Sequence, residues 1–204
     1  MAWSFDPRTA ILVGALLTWL TGGMLVLNWR SLPGGVRLSL RWWLAGIALH
    51  PVGFVLIALR GMAPDWVIIA AGATSLAAAF ACMAIALRSS YGLPERRARL
   101  CLITVLVGTA ATWFTFVAPH LQARIIIVHI LLAVLIGSGA RAVFRRGGPR
   151  GRVPRVTGAL FAVVTGLVLM RAGIEAAWPI SPDQLLRVSP LNVACIGGLL
   201  VLPL

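Results

Sequence analysis

Few side chains in this sequence have the type and spacing to do chemistry, and the best placed are two pairs. Arg171 and Glu175 stand four residues apart, which puts both on one face of a helix. There they either neutralise one another, the simpler assignment, or line a polar cleft. His50, followed by Pro51, and His129 carry imidazoles that change charge near neutrality. Either could act as a pH or polar switch; a neutral histidine bonded to a neighbouring helix is the simpler reading. Together they could ligate a haem, but two lone histidines make no ligand set, and neither cofactor nor metal is expected. Asp6, Arg8, Asp65, Trp66 and Trp178 join Arg171 and Glu175 as candidate ligand-binding residues on one rim. Chemistry needs nucleophile, base or metal ligands gathered at one depth. His50, His129 and Glu175 form no such set, so no catalytic residue is assigned and the chain is not read as an enzyme.

The elements that carry these groups follow from composition. The 204 residues are 60% hydrophobic and 11% charged, with a mean hydropathy of +0.96, outside the range of ordinary globular domains. All 18 cations are Arg, and the formal net charge is +13. A nucleic-acid binder gathers such charge on one solvated face. Here the arginines punctuate apolar segments, so no nucleic-acid partner is expected.

A helix needs about 20 residues to cross roughly 30 Å of hydrocarbon. Seven segments approach that length, at 9–29, 42–59, 66–87, 100–118, 125–144, 156–178 and 190–204. Backbone amides in lipid must be satisfied internally, so the spans are helices. Period-two alternation is absent, which argues against a barrel. The expected fold is all-α, a polytopic helix bundle forming a single transmembrane domain over residues 1–204 with the bilayer as its main partner. Asp6 and the length of the first apolar run distinguish it from a cleaved signal peptide. The last segment, at 1.5 Å per residue, reaches only about 22 Å, which favours a fragment of a longer chain.

Arginine placement gives direction. Arg30, Arg37 and Arg41 follow the first span; Arg88, Arg96, Arg97 and Arg99 follow the third; Arg141, Arg145, Arg146, Arg150, Arg152 and Arg155 stand at the end of the fifth and beyond it. Thirteen of the 18 cations thus share one side, against Arg8, Arg60, Arg124, Arg171 and Arg187 on the other. The positive-inside rule puts the N-terminus outside and the C-terminus in the cytoplasm. Topology is the simpler role of the inner arginines; recruitment of an acidic partner or of lipid headgroups is the alternative. Leu32-Pro33-Gly34-Gly35 and Gly147-Gly148-Pro149-Arg150-Gly151 read as turns, and Asp65 as a cap for the third span.

Trp3, Trp29, Trp42, Trp43, Trp66 and Trp178 sit near boundaries, as an aromatic belt requires. Trp19 and Trp113 do not, and are expected to pack between helices. Cys82, Cys101 and Cys195 are scattered and read as small buried hydrophobes. Gly137-Ser138-Gly139-Ala140, Ala71-Gly72-Ala73 and Ala77-Ala78-Ala79 let backbones approach closely. They serve packing within the chain or, alternatively, a homodimer interface.

Several short motifs recur together: Phe5-Asp6-Pro7-Arg8-Thr9, Asn28-Trp29-Arg30, Leu59-Arg60-Gly61 before Pro64-Asp65-Trp66, Phe116-Val117-Ala118-Pro119-His120 with Leu121-Gln122-Ala123-Arg124-Ile125, and Arg171 late in the sixth span. In this the chain resembles the multi-span N-terminal membrane region of bacterial diguanylate cyclases of the Gly-Gly-Asp-Glu-Phe type. The signature itself does not occur in these residues, so cyclase activity transfers to none of them. The resemblance implies a sensory or regulatory membrane module that passes a signal to a cytoplasmic cyclase domain, in cis or in trans. Dimerisation would suit such a partner. A small transporter or channel subunit is the main rival and an intramembrane enzyme the second. Transport predicts broken helices, polar groups at mid-membrane or an internal repeat, and only His50 lies at that depth.

Overall fold

The structure is a computed structural model that describes residues 7–59, 62, 64, 66–145 and 152–178. It is helical throughout, with no strand among the described residues. Six α-helices run in order: α1 (Pro7–Leu27), α2 (Gly34–Ala58), α3 (Gly72–Ser90), α4 (Arg97–Thr112), α5 (Leu121–Phe144) and α6 (Arg152–Ala177). A π-helical turn, Trp66–Ala71, leads into α3, and another, Trp113–Val117, extends α4. Five stretches are long and apolar enough to cross a membrane: Gly34–Ala58, Ile68–Ser90, Arg97–Val117, Leu121–Phe144 and Arg155–Ala177; Ile11–Leu27 is a shorter apolar helix. The expected segment at 190–204 and the turn at 147–151 lie outside the described residues, as does Asp65 with its capping role.

Side-chain pairings fix the packing as antiparallel. Trp19 of α1 donates through Nε1 to the Ala48 carbonyl of α2 at 3.3 Å. Between α2 and α3, Gly46 lies against Ala79 and Met83 while Gly53 lies against Gly72 and Leu76. Gly108 of α4 abuts Thr74, and Gly139 of α5 abuts Leu87 of α3. Gly139 also faces Phe161, and Gly158 faces Val143, which sets α6 against α5 in the reverse direction. The ends of α1, α3 and α5 therefore lie with the starts of α2, α4 and α6 at one end of the bundle, and the remaining helix termini at the other.

The centre is α3, whose residues Leu76 to Arg88 are buried on nearly every side. A helix apolar all round belongs in the middle of a bundle. The small residues singled out from the sequence make contacts inside the chain. A β-carbon on Gly53 would sit 3.0 Å from the Gly72 carbonyl oxygen, and one on Gly46 would sit 3.0 Å from that of Ala79. The backbones of α2 and α3 thus touch, as small residues allow.

Pro51 sits inside α2 without breaking it. Its missing amide and ring loosen the preceding turn, and donors arrive there from both neighbours: Trp19 reaches the Ala48 carbonyl, and Ser75 Oγ donates to that of Leu49 at 2.9 Å. Such side-chain help is how membrane helices tolerate proline.

Three expectations need correction. Gly34 and Gly35 are the first residues of α2 rather than part of the turn, because Pro33, extended at φ −57° and ψ 144°, already stops the preceding chain. Trp113 is 51% exposed and faces outward, and Trp19 keeps 45% exposure despite its bond to α2. On helices apolar enough to cross a membrane, an outward ring needs no slot between helices. Cys101 is exposed and Cys82 only half-buried, because helix packing reaches neither fully; Cys195 lies outside the described residues.

Candidate functional site

The buried face of α6 carries Phe161, Val164, Val168, Arg171, Ala172 and Glu175. These positions recur three or four apart, so one stripe faces the bundle. Its last turns exchange hydrocarbon for charge. Arg171 is 5% exposed and Glu175 fully buried, with Arg171 Nη2 3.6 Å from Glu175 Oε2. Spacing along the helix foretold the shared face; burial shows that it points inward.

The start of α5 lies opposite. Gln122 Nε2 donates to the Glu175 carbonyl at 3.1 Å and reaches that of Ala176 at 3.5 Å, satisfying acceptors that the end of α6 leaves open. Arg124 donates from Nη1 to Thr115 Oγ1 at 2.8 Å, tying α5 to the π-helical end of α4. That turn is closed by the Phe114 carbonyl, which accepts from the His120 amide at 3.1 Å. His120 then caps α5, its Nδ1 accepting from the Ala123 amide at 3.2 Å. His129 lies two turns further on, with Nδ1 2.7 Å from the Ile125 carbonyl. A carbonyl can only accept, so Nδ1 carries the proton and Nε2 keeps its lone pair in the neutral ring. Arg171 lies within electrostatic reach of His129.

One end of the α4–α5–α6 group therefore holds a guanidinium, a carboxylate, a carboxamide and an imidazole at neighbouring positions. Burying charges costs several kcal/mol per ion even when they are paired, and ionisable groups within a bilayer mark functional positions. Such a set can bind a polar or zwitterionic solute, or shift its hydrogen bonds as the helices move.

The other candidates disperse. Arg8, engaged in an interaction of its own, is exposed at the start of α1. Trp178, the last of the described residues, is 73% exposed. Asp6 and Asp65 lie outside the described residues, and Trp66 is described only through its backbone. His50 is fully buried in α2 between Phe54 and Phe80, with ring centroids 4.9 and 5.5 Å away. Its surroundings are aromatic, and His129 belongs to the α5–α6 assembly instead. Among the described residues, no group of three or more His, Cys, Asp and Glu is placed to hold a metal. Gln122, Arg124 and Thr115 were not among the candidate site residues. Gln122 and Arg124 stood in a motif quoted for the resemblance, but nothing beyond polarity at helix ends marked these three for a site.

No protein-family model matches this sequence, and neither a curated protein nor a solved structure does. The chain's class rests on its own residues: a bundle of apolar helices suited to a membrane.

Proposed function

We propose that this chain is the sensory membrane module of a diguanylate-cyclase-type signalling protein. It sits in the bacterial inner membrane with its N-terminus outside and relays a signal to a cytoplasmic output domain, in cis or in trans. The observation that carries this reading is the buried Arg171–Glu175 pair with Gln122 and His129 around it, at the end opposite the arginine-rich connections. A solute reaching that end from outside changes the balance of charges inside the bundle. The α5–α6 pair extends from this cluster to Gly158 and Val143 at the basic end. Two packings of such a pair, differing by a few kcal/mol, convert binding at one end into movement at the other.

Two measurements test the proposal. Sequencing the genomic DNA beyond the Leu204 codon is expected to find a cyclase domain in the continuing frame or encoded nearby. Cells expressing the natural gene with R171M/E175M are expected to differ from wild type in cyclic di-GMP by about 5-fold or more, the lower end of ordinary coupling energies. A gene neighbourhood without any cyclase, together with unchanged cyclic di-GMP, contradicts the reading. The buried ion pair also suits a small transporter, since such pairs mark solute pathways. Solute uptake into proteoliposomes that R171M/E175M abolishes would favour that function instead.

A further inference from the structure

The opposite end of the bundle holds a second concentration of charge, of one sign only. α3 ends in a Schellman turn. The Leu93 amide donates to the Arg88 carbonyl at 2.8 Å, and the Gly92 amide to that of Ser89 at 3.0 Å, with Gly92 at φ 61°. Arg88 is itself 7% exposed, and its Nε donates to the Pro94 carbonyl at 2.7 Å. Three more guanidinium groups, those of Arg96, Arg141 and Arg145, stand within electrostatic reach of it. Arg141 and Arg145 are one turn apart on the end of α5, which α3 meets through Leu87 and Gly139.

Against these four arginines the region offers a single acid among the described residues, Glu95 beside Arg96. The acids among the described residues are Glu95 and Glu175. Glu95 is engaged by Arg97, and Glu175 is at the far end paired with Arg171. Topology alone needs arginines in the loop, but not a buried one with three others around it. A second observation points to the same place. Arg96 has φ 52°, the only non-glycine residue with a positive φ among the described residues. Strain of that kind in a side-chain-bearing residue concentrates at binding sites.

We propose that Arg88, Arg96, Arg141 and Arg145 form a binding site for a phosphate group, one that α3, the α3–α4 connection and α5 build together. Guanidinium groups match phosphate oxygens with paired hydrogen bonds, which suits a shared anion better than mutual repulsion. The phosphate belongs either to an anionic phospholipid at the membrane surface or to a free phosphate species in the aqueous phase. Occupation fastens α3 to α5 at the basic end. The site is independent of the sensory reading, since it involves neither Arg171 nor Glu175.

The test uses the full chain in phosphatidylcholine nanodiscs, with and without phosphatidylglycerol, and separately with inorganic phosphate added to neutral discs. Thermal unfolding is read for wild type, R141Q/R145Q and the charge-matched control R30Q/R41Q. A rise in Tm of about 2–4 °C or more with phosphatidylglycerol is expected for wild type and control and not for R141Q/R145Q. That result assigns a lipid headgroup; the same pattern with inorganic phosphate assigns a free phosphate species. No rise from either, a rise that survives R141Q/R145Q, or one lost equally in the control overturns the proposal. If R141Q/R145Q does not fold, native mass spectrometry of wild type decides. Retention of phosphatidylglycerol over phosphatidylcholine supports the site, and equal retention of the two lipids overturns it.

Discussion

Arg171 and Glu175 illustrate what a single residue contributes when its solvent is hydrocarbon. Removing one partner leaves an uncompensated charge in the bundle, whereas removing both leaves none. R171M alone is therefore expected to cost about 3–5 kcal/mol in unfolding free energy. R171M/E175M is expected near or above wild-type stability, measured by denaturant unfolding in detergent. A loss in the double variant equal to the sum of the R171M and E175M losses would show that the two side chains act separately. Stability and signalling then part ways: the double variant folds but loses the response proposed for the cluster. At this scale the sequence was half legible. The four-residue spacing put both charges on one helix face, but the partnership with Gln122, and Arg124's bond to Thr115, depend on how α5 meets α6 and α4. Helix periodicity carries no information about neighbours distant in the chain.

Between elements, glycine sets the distance. Gly46, Gly53 and Gly72 bring α2 and α3 into backbone contact, and a β-carbon on Gly53 would also press 2.5 Å from Leu76 Cγ. G53V is expected to lower stability by about 1–3 kcal/mol through overpacking. G166A, at a position with nothing within 4 Å, is expected to be neutral or to stabilise by about 0.5–1 kcal/mol. Chemical unfolding of both variants in detergent checks the pair; equal effects would deny that this contact is close. Apolar length made the helices readable in advance, and most described boundaries fall within a few residues of the expected ones. The largest shift is in α2, which begins at Gly34 instead of near 42. Its first turns carry Arg37, whose Nε donates to the Leu32 carbonyl at 2.9 Å, and the exposed Arg41, so hydropathy alone stopped short of the helix. The π-helical turns at Trp66–Ala71 and Trp113–Val117 were not legible at all, because they share the composition of the helices they extend.

As a whole, the molecule hides a small-residue seam and presents hydrocarbon outward. Leu16 and Leu20 on α1, Val105 on α4 and Val163 on α6 are each more than half exposed. Water would draw such faces together, whereas acyl chains solvate them. The two ends differ in kind: one gathers a buried ion pair and its hydrogen-bonded neighbours, the other gathers arginine. The proposed sensory role requires those ends to lie on opposite sides of one membrane, arginine inward. A reporter placed after Gly148, in the connection between α5 and α6, tests this most directly. The account predicts a fluorescent green-fluorescent-protein fusion and an inactive alkaline phosphatase fusion, as for a cytoplasmic position; an active phosphatase and a dark fluorescent fusion would contradict it.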